Sequence, residues 1–233
     1  MSYKVWNLWQ NWRCPSSPPI EAIVAGGVLS LHEMVFGSKA EEKIGRAFLH
    51  LPDRKIGVVF SPKVEIPAPL SEAFKKAVLI FVPKKSKIEK VTVDGVYLLN
   101  PSLLDTMTAR LVSSILFELT MQTISSEEIE DILHASFLSL VSHEIRHERQ
   151  TFENCPLKTF ADLPQEAQVR AQITLEHQKP LFPINHLPAK EKEIVLKKEI
   201  DALVCELLAF STLLDKNLSF EERFQKVVDI LKS

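Results

Sequence analysis

Residues 142–150 read Ser-His-Glu-Ile-Arg-His-Glu-Arg-Gln. His143 and His147 are four positions apart, and Glu144 directly follows the first. On an α-helix, residues four apart differ by only about 40° around the axis, so both imidazoles project from one face and can converge on one ion. Zinc would take each ring nitrogen at about 2.0–2.1 Å. Glu144 turns about a quarter-circle away, toward the open coordination position. There a carboxylate can accept a proton from water and pass it to a leaving amine, which is the division of labour that H-E-x-x-H spacing provides. The rival reading is a solvated helix on which Glu144, Arg146, Glu148 and Arg149 make surface ion pairs. Against it stand Phe137, Leu140 and Val141, apolar residues that make this helix at least partly buried. Two histidines and a glutamate on such a helix need a partner, and a metal would be one.

A catalytic zinc usually holds three protein ligands, so a third must come from elsewhere. The stretch Lys197-Lys-Glu-Ile-Asp-Ala-Leu-Val-Cys-Glu206 offers Glu199, Asp201 and Glu206. Glu199 and Glu206 share a face but are two turns apart, about 10 Å along the axis, so one ion cannot use both. Asp201 points to the opposite side from Glu199. Glu199 borders the apolar face of Ala202, Leu203, Cys205 and Leu208, which should meet the first helix. It is the preferred ligand, with Asp201 and Glu206 as alternatives. His177 and His186, in a proline-rich stretch, are weaker candidates for a ligand or an oxyanion donor.

The motif lies on a helix that independent signals predict. Ser125 or Ser126 caps it, its first turn is acidic (Glu127, Glu128, Glu130, Asp131), and Asn154-Cys155-Pro156 ends it. The second ligand-bearing helix spans Ala189–Leu214, and a short one spans Phe220–Leu231. Upstream, Pro101–Met121 is helical in pattern, and Gln165–Leu175 is read as a short helix within an irregular stretch. The first third reads as helix over Glu21–Val35 and over Lys39–Leu49, so residues 19–70 are read as an accessory helical segment. Strands follow at Lys55–Phe60, Ala77–Val82, Ile88–Val93 and Val96–Leu99. Asp94-Gly95 between the last two is a hairpin signal. The expected class is α+β: a small antiparallel or mixed sheet, then the H-E-x-x-H helix and a second ligand-bearing helix, in a single domain over residues 19–233. Residues 1–18 form a separate arm, in which Trp6, Trp9 and Trp12 make one band if helical. That arm would dock on the domain or anchor a protein partner.

Composition narrows the functions. The chain has 233 residues and a formal net charge of -2, which supplies no basic field for nucleic acid. There are 6 glycines and no phosphate-cradling glycine motif. Cys14, Cys155 and Cys205 are widely spaced and odd in number, which argues for a reducing, cytoplasmic setting rather than a disulfide framework. No apolar run approaches a bilayer span. The N-terminal residues lack the apolar core of a signal peptide, although export without a cleaved signal stays open.

His143-Glu144-Ile-Arg-His147-Glu-Arg-Gln150, with Glu199-Ile-Asp201-Ala202 downstream, resembles the gluzincin branch of zincin metallopeptidases. It is similar in particular to bacterial domains carrying H-E-x-R-H-x-x-Q and a later E-A-D-A. The resemblance covers roughly residues 96–215. It implies a zincin-like fold, Zn2+, Glu199 as third ligand, Glu144 as general base, and Val96–Leu99 near the edge strand that holds an extended peptide. Many gluzincins carry an Asp four residues after the ligand Glu, and position 203 here is Leu. The expected function is zinc-dependent hydrolysis of peptide bonds in a peptide or protein substrate. The alternative is a binding or regulatory protein on the same scaffold.

Overall fold

The computed structural model describes residues 20–61, 63–118, 126–178 and 187–233. The arm at 1–18 with its three tryptophans, together with Ser125 and His186, lies outside the described residues.

Helix α1 (Ile20–Phe36) matches its expected span. The next segment does not. Lys39–Leu49, expected as helix, is a hairpin of β1 (Lys39–Lys43) and β2 (Arg46–His50). The run Lys-Ala-Glu-Glu-Lys has helix-forming composition, yet it forms an edge strand with every side chain exposed. Edge strands tolerate charge on both faces, and charge there discourages further pairing. Strand β2 buries Ala47, Phe48 and Leu49 in succession because both of its faces are covered. Its apolar run therefore lacks the alternation that would mark a half-buried strand. The link is Ile44-Gly45, where Gly45 takes φ 74°, a conformation open to glycine.

Strand β3 (Lys55–Val59), helix α2 (Ala68–Phe74), strand β4 (Leu79–Val82), a small hairpin of β5 (Ser86–Ile88) and β6 (Val91–Val93), and strand β7 (Gly95–Leu99) follow. Five strands form one mixed sheet in the order β1-β2-β3-β7-β4, with β3 and β7 parallel and the other pairs antiparallel. Residues 19–70, read as an accessory helical segment apart from a strand at Lys55–Phe60, thus contribute three of these strands, of which β3 is the expected one. The single strand expected over Ile88–Val93 breaks at Glu89, whose φ is 55°.

Asp94-Gly95 does not turn a hairpin, because β6 and β7 belong to different sheets. Asp94 Oδ2 instead accepts the Lys55 N–H at 3.0 Å. Gly95 is small for another reason. A Cβ there would sit 2.7 Å from Phe81 Cζ, so the Phe81 ring occupies the space a side chain would need. Val96–Leu99 belongs to β7, inside the sheet and paired with β4, which is an edge strand next to it.

Helices α3 (Pro101–Glu118), α4 (Ser126–Phe152), α5 (Gln165–Gln178), α6 (Ala189–Leu213) and α7 (Phe220–Lys232) complete the described chain. One face of the sheet, with Leu49, Val58, Phe81 and Tyr97, packs on α1, α4, α6 and α7 through Val28, Phe137, Val141, Cys205 and Val228. The other face, with Phe48, Val59 and Leu98, is covered by Leu70 of α2 and by Ile88 and Val93 of the small hairpin. The class is α+β, with the long helices gathered on one side of a mixed sheet. Among the described residues no helix is long and apolar enough to cross a membrane.

Candidate metal centre

Helix α4 is 27 residues long and lies against α6. Its rotation is set by Phe137, Val141 and Ile145, which are buried at a four-residue spacing and hold one stripe in the core. That stripe turns His143 and His147 toward α6, where Glu199 meets them. His143 Nε2 and His147 Nε2 are 3.1 Å apart. Glu199 Oε2 lies 3.8 Å from the first and 3.5 Å from the second. Donors bound to one tetrahedral zinc at about 2.0–2.1 Å lie about 3.3 Å from each other, so this triangle has the size of a coordination shell. Among the described residues these three form a group that could hold a metal ion.

The other ring nitrogens are held by acceptors. His143 Nδ1 is 2.8 Å from Glu206 Oε2, and His147 Nδ1 is 2.9 Å from Gln150 Oε1. The orientation of the Gln150 amide follows from its nitrogen, which donates to Lys198 O at 2.8 Å and Asp201 Oδ2 at 2.7 Å. Both imidazoles therefore carry their proton on Nδ1, and both Nε2 lone pairs point into the triangle. Two lone pairs at that separation, facing a carboxylate oxygen, require positive charge between them. The metal-free electrostatics express the same demand. Burial pushes His143 down, but its bonds to Glu199 and Glu206 outweigh this and hold it well above the ordinary histidine value. Burial pushes Glu199 up, yet its bonds to His143 and His147 hold it down at about 2.

Glu144 is 7 % exposed, and its Oε2 accepts the Phe81 N–H of β4 at 2.6 Å. Burial raises this carboxyl above the usual range, against the pull of His143 and His147. A carboxyl raised in this way holds a proton more readily than an exposed one, which suits a group that must accept one from water.

The two alternative ligands hold other positions. Glu206 is the acceptor behind His143. Asp201 is fully buried: Oδ2 accepts Arg146 Nε at 2.7 Å, and Oδ1 accepts Arg146 Nη2 at 2.9 Å and Lys158 N at 2.7 Å. Arg146, which the sequence allows as a solvated residue, is completely buried and also donates to Leu231 O at 3.0 Å and to Pro156 O. Leu203, four residues after Glu199, is buried, and the acceptor behind His143 is Glu206. The side chain of His177 lies outside what is described.

On another face of α4, Glu148 is fully buried and accepts from Tyr97 Oη at 2.6 Å. It also faces His32 Nε2 at 3.0 Å and Arg54 Nε at 3.4 Å, while His32 Nδ1 bonds Ser38 Oγ at 2.7 Å. This knot ties α4 to α1 and the sheet, and sequence reasoning missed it because its members are scattered along the chain. Gln150 left a usable signal: three residues after a helical histidine, its side chain can reach Nδ1.

Compared with protein-family models, with curated proteins and with solved structures, the chain has no match in any of the three.

Proposed function

We propose that this chain is a zinc-dependent metallopeptidase with a zincin-like site. The observation that carries the proposal is the convergence of His143 Nε2, His147 Nε2 and Glu199 Oε2 at 3.1–3.8 Å, with both Nδ1 atoms occupied by acceptors. Two imidazoles and one carboxylate match catalytic zinc sites, which keep a position open. Zinc bound there would supply Lewis acidity, polarising a peptide carbonyl and making water acidic near neutral pH. The chain's own residues do the rest. Glu144, steadied by the Phe81 N–H, takes the proton of the attacking water and delivers it to the leaving amine. Glu206 and Gln150 keep the imidazoles in the binding tautomer. The edge strand β4, lying beside Glu144, fits a zincin-like arrangement in which an extended peptide passes the metal. The free thiols of Cys155 and Cys205 fit a reducing, cytoplasmic setting.

Two measurements test this. Elemental analysis of protein prepared without chelators should find about one zinc per chain. Glu144→Gln should retain that zinc and lose peptide hydrolysis by about 10²–10⁴-fold. Protein that takes up iron and not zinc, or a Glu144→Gln variant as active as the parent, would refute the reading.

A further inference from the structure

Strand β4 turns its outer edge toward the candidate metal centre, because the Phe81 N–H on that edge donates to Glu144. Its inner edge is taken by β7. Beside the one N–H that Glu144 takes, a strand edge of this kind can receive an extended peptide as an added strand.

The residues flanking β4 are basic. Between positions 75 and 90 the chain carries six lysines and one glutamate, although its formal net charge is -2. Lys75 and Lys76 precede the strand, and Lys84, Lys85, Lys87 and Lys90 follow it; all six are exposed. Lys75 pairs with Glu72 at 3.0 Å, and Glu89 is taken by Arg46 at 2.6 Å. Among the described residues no carboxylate forms an ion pair with the other five lysines.

A cavity of about 370 Å³ opens at the upstream end of β4. Val78, Leu103, Met107 and Leu111 give it apolar walls, and Lys76 and Arg110 also line it. Val78 is three residues from Phe81, about 10 Å along an extended chain. That distance suits a side chain of a peptide whose backbone passes Glu144.

We propose that the outer edge of β4 receives an acidic, extended polypeptide segment. An apolar side chain of the segment fills the cavity. Its carboxylates meet Lys76 and Arg110 upstream and Lys84 and Lys85 downstream. This deepens the metallopeptidase reading by naming its substrate class, and rests on that reading for the fate of the segment. The phosphates of a nucleic acid would meet the same lysines. However, no aromatic ring is exposed among the described residues to stack a base, and the apolar cavity fits an aliphatic side chain.

The test uses the full chain, zinc-loaded and carrying Glu144→Gln, so that binding is read without turnover. Fluorescence anisotropy compares a labelled peptide with Glu and Asp flanking a central Leu, its Gln/Asn counterpart, and a thymidine oligonucleotide of similar length. The acidic peptide should bind about tenfold tighter than the amide peptide, with the preference shrinking as salt rises. Lys84→Glu/Lys85→Glu, at exposed positions, should abolish the preference while leaving the melting temperature unchanged. Equal binding of the two peptides, or tighter binding of the oligonucleotide than of the acidic peptide, overturns the proposal. A parallel digestion of both peptides by the wild-type protein separates the two failures. Cleavage without acidic preference sinks the substrate class and leaves the peptidase. Acid-selective binding with no cleavage sinks the peptidase and leaves the docking surface.

Discussion

Replacing Asp201 with Asn should damage stability and metal affinity by two separable routes. The carboxylate accepts from Arg146 Nε at 2.7 Å, Arg146 Nη2 at 2.9 Å, Gln150 Nε2 at 2.7 Å and Lys158 N at 2.7 Å, and neither Arg146 nor Asp201 is exposed. Asn keeps the shape but removes the charge and turns an amide NH2 toward groups that donate. Removing one partner of a buried ion pair costs about 3–5 kcal/mol, a large share of the roughly 5–15 kcal/mol that holds a domain folded. The same change takes an acceptor from Gln150, which holds His147 Nδ1. Loss of such support should lower zinc affinity by about 10–100-fold. Urea unfolding of the metal-free protein reads the first effect, and competition against a chromophoric chelator reads the second. Arg146→Met/Asp201→Leu provides the control. With both charges gone, part of the lost stability should return, though the Lys158 N–H and Pro156 O lose their partners, while zinc affinity stays weak because Gln150 still lacks its acceptor. An Asp201→Asn protein within about 1 kcal/mol of the parent would refute the buried-pair account. A double variant that regains full zinc affinity would refute the link through Gln150.

Glu206→Gln should lower zinc affinity by about 10–100-fold without abolishing binding, read by the same competition; complete loss of zinc would instead make Glu206 a ligand. Gly95→Ala should destabilise by about 1–3 kcal/mol and reduce hydrolysis, because the new methyl displaces the Phe81 ring whose backbone N–H holds Glu144; unfolding and activity measurements check it. His134 is buried, and that burial pushes it from 6.5 down to about 2. Its folded value lies below its unfolded one, so it is neutral in both states above pH 6.5, and stability falls as pH drops below that. Between pH 6.5 and 4.5 this one group should remove about 2–3 kcal/mol, and His134→Leu should flatten that slope in urea titrations at several pH values.

The candidate site was more legible than the sheet. His143, Glu144 and His147 sit on a helix whose cap, acidic first turn and proline stop all lie within one stretch, so helical phase alone orients them. Glu199 could be preferred from its place beside an apolar face. Asp201 and Glu206 could not be assigned, because choosing among three acids on one helix depends on how α6 is rotated against α4. That rotation is fixed by Arg146, whose burial no local pattern announces. The hairpin at Lys39–His50 was illegible for a different reason: an edge strand made of Lys, Ala and Glu carries helix-forming composition, and its neighbour is buried on both faces. Asp94-Gly95 misled because a turn signal and a space-making glycine look alike until the Phe81 ring is seen above it.

The bond from Arg146 Nη1 to Leu231 O joins residues 85 apart in sequence, and the pair with Asp201 spans 55. Timing during synthesis follows from these separations. At about 5–20 residues per second, the ribosome releases the histidine pair on the order of ten seconds before the chain that locks its helix. Through that interval His143 and His147 exist without Glu199, Gln150 lacks Asp201, and Arg146 has no buried counter-charge, so the helix cannot settle into the core. Under the proposed metal-site reading, metal capture would thereby be a late event in the life of the nascent chain. A stall between positions 150 and 199 would leave a two-histidine fragment that binds zinc only weakly.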